Sequence, residues 1–371
     1  MKELQYFEEV ASDLENREIR AWREAGKRVV GTVCSSMPEE VLHAGGLLPL
    51  RLRAPGLLDT ASADAHLHRI NCSYTRSVLE VLLRGDLSFL DGLITTNTCD
   101  HMLRLAGELE AKAGFPVHYF SMYHTLGESS RKWFILEMEK LIRYIEGSFS
   151  TKVSEEDLRQ SVSVYNRTRR LMAELAELRK QDPPCVSGAE YLAIAVVGMS
   201  IPRELFNDKL EALLPPLRER SSGKSGQPRV MLVGGACDMP EFVGFIEGKG
   251  VSVVADGLCF GTRHYWGEVD ENAAEFLPAI ADHYFDRMAC PAIIDGFDHS
   301  YGILKQMIDD WRVDGVISAR LKFCDHWGGQ RKMLAEELRK ESVPVLDLER
   351  EYNTAGSGQI ATRVQAFLEM L

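Results

Sequence analysis

Short runs of apolar residues alternate with stretches whose apolar positions recur at helical spacing, and this alternation occupies two separate regions of the chain. Buried parallel strands read as near-continuous apolar runs, and the stretches between them read as covering helices, so each region predicts a parallel α/β sheet. The first region supplies Arg28–Cys34, Gly46–Leu52, Gly92–Cys99 and Phe115–Ser121. The second supplies Arg229–Cys237, Val251–Cys259, Gly315–Arg320 and Val343–Glu349. Between them the pattern is helical. Ser154-Glu155-Glu156-Asp157 reads as a helix start, with Ser154 as N-cap and acidic residues at the positive end of the dipole. That helix is expected to reach about Lys180 and to stop before Pro183-Pro184. More helix follows to about Leu217, and Ser221–Pro228 reads as a linker. A closing helix over Ser357–Leu371 puts Ile360, Val364, Phe367 and Leu368 on one face.

A chain of 371 residues exceeds the ~250 at which single cores stop growing. The expected division is an N-terminal helix and first α/β lobe over residues 1–150, a helical connector over 151–222 and a second α/β lobe over 223–371. The net charge of −12 argues against nucleic acid and anionic membranes as partners, while leaving room for a local basic pocket. The charged N-terminus has no apolar signal core, and no stretch reaches the ~20 apolar residues of a membrane span. A cytoplasmic location is therefore expected. Thiols stay reduced there, so the eight cysteines are not expected to form a disulfide framework.

Position decides what the cysteines do. Ligands of open parallel sheets bind beyond the carboxyl ends of the strands, and Cys34, Cys99, Cys237 and Cys259 each end a predicted strand. Cys324 follows the Gly315–Arg320 run within a few residues. Core filling explains any one of them, but is strained for four or five on the same rim. Cys72 opens the helix that continues through Glu80-Val81-Leu82-Leu83, where an N-terminus stabilises thiolate. Cys290 precedes Pro291, which holds its backbone extended. Cys99-Asp100-His101 and Cys324-Asp325-His326 repeat one motif in both regions, suggesting related lobes that face each other. No Cys-x-x-Cys pair is present, which excludes zinc ribbons and the compact ferredoxin run. Soft sulfur donors from distant positions suit an iron–sulfur cluster, with zinc as the rival metal and His101 and His326 as its further ligands. Gly223-Lys224-Ser225 lacks the first glycine of a phosphate loop, because Arg218 stands in its place, and it precedes a strand.

The ordered motifs resemble the 2-hydroxyacyl-CoA dehydratase and benzoyl-CoA reductase D-component family. They are Cys34-Ser35-Ser36-Met37-Pro38-Glu39-Glu40 with His43-Ala44-Gly45-Gly46, Cys72-Ser73-Tyr74-Thr75-Arg76, Thr98-Cys99-Asp100, Ala255–Arg263, Lys322-Phe323-Cys324-Asp325 and Ser357–Arg363. The resemblance implies two Rossmann-like lobes joined by the helical segment, with a metal cluster in the cleft between them. It also implies a homodimer or a paralogous partner subunit, and a separate iron–sulfur activator ATPase that delivers low-potential electrons. It carries [4Fe-4S] ligation to Cys72, Cys99 and Cys324. Cys34, Cys259 and Cys290 would make a second set, as in the double-cubane [8Fe-9S] branch, which reduces small molecules rather than dehydrating acyl-CoA thioesters. A non-catalytic cluster protein or zinc-binding module is a third reading. Cys185 is left to core or surface filling, and Cys237 could replace a member of the second set.

Around these thiols, Glu39 or Glu40 could act as acid or base, though acidic residues after Pro38 also suit an ordinary helix start. Ser35 and Ser36 could hydrogen-bond a ligand or serve as caps. Arg76 and Arg263 could balance a cluster's negative charge or be solvated, as could Lys322. Tyr74, Tyr265 and Trp327 could shield the site or simply fill core.

Overall fold

The computed structural model describes residues 1–353 and 357–371. All eight apolar runs form strands: β1 (Val29–Thr32), β2 (Leu48–Arg51), β3 (Gly92–Thr96), β4 (Val117–Phe120), β5 (Arg229–Gly234), β6 (Ser252–Gly257), β7 (Gly315–Leu321) and β8 (Val345–Arg350). They build two four-stranded parallel sheets in the orders β2-β1-β3-β4 and β6-β5-β7-β8. The two windings are the same. In each sheet the order reverses beside its first strand, so the crevice lies beyond the carboxyl ends of β1 and β3, and of β5 and β7. Strands β1, β2, β3, β5 and β6 are buried at every position, which is why they read as unbroken apolar runs.

Between the sheets, the helix Glu155–Glu177 begins with Ser154 and Asp157 in a reciprocal capping box. The helix Gly188–Gly198 is buried all round, and it packs against the helices Lys2–Ala11 and Pro240–Glu247 and against β6. The helix Arg203–Arg218 completes this central layer and tolerates Pro215 and Pro216 in its last turn. A second apolar cluster joins the regions directly. In it the helix Glu128–Phe149 packs on the helix Phe276–Asp286 through Phe134, Met138, Ile280 and Phe285. The closing helix Gly358–Leu368 starts at Ser357, whose hydroxyl accepts from the Ile360 N–H at 3.2 Å, and it buries Ile360, Val364 and Phe367. Among the described residues no helix is long and apolar enough to cross a membrane.

Candidate metal centre

Cys72, Cys99 and Cys324 each occupy the N-cap of a different helix: Ser73–Leu83, Asp100–Lys112 and Asp325–Lys340. Two of these helices follow a switch-point strand, β3 or β7, so the winding of each sheet delivers one thiol to the same crevice. Cys99 Sγ accepts from the Met102 N–H at 3.4 Å, in the manner of a capping side chain. The Cys72 N–H donates to His101 Nδ1 at 3.1 Å, tying two of the three helices together. Phe323, just before Cys324, adopts φ +65°, a left-handed turn that sets the third helix entry. Burial pushes the Cys99 thiol up, and Cys72, Cys324 and Cys290 push it further. Burial likewise raises Cys324 to about 12, with Cys72 and Cys290 adding to the rise. These thiols therefore feel one another's charge.

Cys34, Cys259 and Cys290 gather beside them. Cys34 lies two residues beyond β1, where its sulfur accepts from the Ser36 N–H at 3.5 Å. Cys259 sits in the loop after β6, which Asp256 folds by accepting from the Leu258 and Thr262 N–H groups at 3.3 and 2.8 Å. A Cβ on Gly261 would stand 2.1 Å from Asp256 Oδ1, so this loop requires glycine there. Cys290 follows the helix Phe276–Asp286 and lines an enclosed space of about 20 Å³ with Ser35, Tyr123, Arg263 and Arg287. Burial would raise Cys34, but Arg51 and hydrogen bonds from Ser36 and Thr98 bring it below its ordinary value. Burial raises Cys259 to about 11, against the pull of Arg51 and Arg263.

Three buried guanidinium groups surround this second set. Arg51 lies over the Phe260 ring with Nε and one terminal nitrogen unpartnered. Arg263 donates to the carbonyls of Gly234 and Gly257 and lies over Trp327. Arg287 donates to the Ser35 carbonyl at 2.8 Å. Among the described residues, none of the three is paired with a carboxylate. A buried cation without a counter-ion is costly, so anionic sulfur is the natural complement.

The other expected residues are distributed differently. Glu40 is buried and ion-paired with Arg169, and Tyr284 donates to its Oε2 at 3.1 Å. Glu39 pairs with Arg203 at 2.5 Å. Arg76 is held by Asp64 and Thr60, both at 2.8 Å, so its charge is already answered. Tyr74 donates to the carbonyls of Val33 and Leu52, bracing the ends of β1 and β2 beside the thiols. Trp327 is buried near them, whereas Tyr265 turns away to the Ala195 carbonyl. Lys322 is half exposed at 4.0 Å from Glu351. Cys185 lies apart, its thiol directed at Gln181 Oε1 at 3.3 Å. Cys237 is buried and raised by that burial. Sequence reasoning passed over Arg51, Arg287, His264 and His283. Arg51 did leave a signal, a charge ending the otherwise apolar run Gly46–Leu52.

Among the described residues no three His, Cys, Asp or Glu side chains form a group that could hold a single metal ion. A cubane makes a different demand, because each cysteine takes its own iron and the sulfurs stand further apart than around one ion. Cys72, Cys99 and Cys324 offer one thiol each from three separate helix starts.

The family model described as 2-hydroxyglutaryl-CoA dehydratase, D-component, matches residues 34–371. An Escherichia coli (strain K12) protein with the provisional name of dehydratase subunit YjiM is 28% identical over 364 residues, covering 94% of this chain and 93% of its own. A subunit of the benzoyl-CoA reductase of Thauera aromatica is 25% identical over 374 residues, covering 98% of this chain and 96% of its own. The beta subunit of (R)-2-hydroxyglutaryl-CoA dehydratase from Acidaminococcus fermentans is 20% identical over 360 residues, covering 94% of each chain.

Proposed function

We propose, because this chain belongs to the 2-hydroxyglutaryl-CoA dehydratase D-component family, that it is an iron–sulfur subunit performing reductive chemistry on an acyl-CoA thioester. Its relatives are dehydratase and reductase subunits, and the chain is an enzyme component of that kind. One observation carries the cofactor reading: Cys72, Cys99 and Cys324 cap three helices drawn from both α/β regions, within electrostatic range of one another. Each helix start offers unsatisfied N–H groups and partial positive charge, which favour the thiolate that iron requires. Cys72, Cys99 and Cys324 would hold a [4Fe-4S] cluster, which would supply low-potential electron transfer and Lewis acidity.

The chain's own groups shape the surroundings. Tyr74, Phe260 and Trp327 are buried beside the thiols and exclude water. Arg76, fixed by Asp64, braces the first turn of the Cys72 helix. The phosphate-loop-like Gly223-Lys224-Ser225 precedes β5 instead of following a strand, so ATP hydrolysis falls to a separate activator that passes electrons in. The subunit names of the relatives support a partner subunit.

A second reading, a homodimeric double-cubane [8Fe-9S] protein that reduces small molecules, is favoured by the uncompensated Arg51, Arg263 and Arg287 around Cys34, Cys259 and Cys290. Anaerobic iron and acid-labile sulfide quantitation decides. About four irons per chain, lost in Cys72→Ala and unchanged in Cys259→Ala, supports the single cluster. About eight, halved in Cys259→Ala and Cys290→Ala, supports the double cubane. Absence of iron after strictly anaerobic preparation ends both.

A further inference from the structure

The loops that follow β2 and β5 border a cavity of about 690 Å³, and among the described residues no cysteine lines it. Two opposite charges do. Arg53 and Asp238 both line the cavity with only 1% and 4% of their surface exposed. Arg53 donates to the Asp13 carbonyl through one terminal nitrogen at 3.3 Å, and its Nε has no partner. Asp238 Oδ2 accepts from the Tyr352 hydroxyl at 2.8 Å, and Asp238 Oδ1 has no partner. Among the described residues the two form no ion pair, with each other or with a third charge. Burial lowers Arg53 against the pull of Asp238, and burial raises Asp238 against the pull of Arg53. A buried ion without a counter-charge in contact is costly, so each calls for a partner that the chain does not supply.

The rest of the wall narrows the choice of partner. The helix Pro240–Glu247 starts at the cavity without a side-chain cap, so its positive end favours a carboxylate beside Arg53. Leu57, Leu58 and Met239 supply an apolar side, and Leu58 is left 92% exposed there. The exposed carboxylates of Glu8 and Glu241 also line the cavity and disfavour an occupant with net negative charge. A purely cationic occupant would leave Arg53 unanswered. An occupant bearing both charges on one end and an apolar group on the other meets every part of the wall.

We propose that this cavity binds a small zwitterion, an α-amino acid with an apolar side chain, through Arg53 and Asp238. The ligand's carboxylate meets Arg53 and the start of the helix Pro240–Glu247, and its ammonium donates to Asp238 Oδ1. Its side chain covers Leu57, Leu58 and Met239. Charge-assisted hydrogen bonds at both ends give the site its selectivity, and the apolar contact adds affinity. The site is tied to the thiol region by one tyrosine. Tyr352 donates its hydroxyl to the other oxygen of Asp238 and its N–H to Ser73 Oγ, the first residue of the helix that Cys72 caps. The occupant therefore sits on the opposite side of a carboxylate that already holds this link. Binding needs no iron and does not depend on the functional reading above.

Isothermal titration calorimetry on the full, iron-free chain at neutral pH tests this with L-norleucine as the probe. L-norleucine is expected to bind with a Kd of about 1 mM or below. Three analogues each remove one feature: hexanoate lacks the ammonium, pentylamine the carboxylate, and glycine the apolar side chain. Each is expected to bind about tenfold or more weakly than L-norleucine. Arg53→Met and Asp238→Asn are each expected to weaken L-norleucine about tenfold or more, with melting temperatures near that of the wild type. Absence of binding up to about 10 mM L-norleucine overturns the site. Hexanoate or pentylamine binding as tightly as L-norleucine overturns the zwitterion. Unchanged binding in either variant overturns the assignment to Arg53 and Asp238. The analogue comparison uses wild-type protein alone, so it decides even where a variant fails to fold.

Discussion

Burial by itself would raise the Glu39 carboxyl, yet His264 and Arg203 pull it down to about 2 from an unfolded value of 4.5. A depressed carboxylate contributes stability that is complete above the unfolded pKa and is lost as pH falls through the folded one. Glu39→Gln is therefore expected to cost about 3–5 kcal/mol at neutral pH, because it leaves Arg203 buried without a counter-charge. In urea unfolding, that difference should shrink between pH 4.5 and about 2; a difference independent of pH would contradict the assignment. Arg51 is the opposite case, a buried cation with no carboxylate. In iron-free protein Arg51→Met should cost less than about 1 kcal/mol or stabilise, since it removes an uncompensated charge. Anaerobic iron content should fall in the same variant. A large loss of stability without loss of iron would make Arg51 a structural residue. These roles were illegible in sequence because pairing is set by tertiary neighbours: Glu39 and Glu40 looked alike, but one meets Arg203 and the other Arg169.

Strands and helix starts were the most legible elements. All eight strands came from apolar runs, and the five buried at every position leave that signature most plainly. The Ser154 cap and the Cys72 helix opening were also readable, since a cap is a local interaction. The helices Glu128–Phe149 and Phe276–Asp286 were not assigned, and they are the pair that joins the regions through Phe134 and Phe285. Their partners are remote in sequence, so no local pattern announces the contact. Phe323 belongs at this scale, because its φ of +65° turns the chain into the Cys324 helix. A β-branched side chain tolerates that conformation worst, so Phe323→Val should lower stability by about 1–2 kcal/mol in thermal unfolding, and Phe323→Gly should not. Equal behaviour of the two variants would mean that the turn does not constrain the cap.

Across the whole molecule, two sheets of the same winding present their switch points to a shared crevice, and six of the eight cysteines gather there. The repeated Cys-Asp-His motif foreshadowed that symmetry, while the arginines behind the second thiol set did not show in a chain whose net charge is −12. Tyr352 links the regions at the rim: its hydroxyl donates to Asp238 at 2.8 Å and its N–H donates to Ser73 Oγ at 2.6 Å, next to Cys72. Such ties hold the helix starts in register, so the central claim is geometric. Anomalous diffraction at the iron edge, from crystals grown without oxygen, tests it most directly. The expected result is an iron peak enclosed by the first turns of the helices Ser73–Leu83, Asp100–Lys112 and Asp325–Lys340. Iron bound elsewhere, with Cys72, Cys99 and Cys324 carrying none, would contradict it.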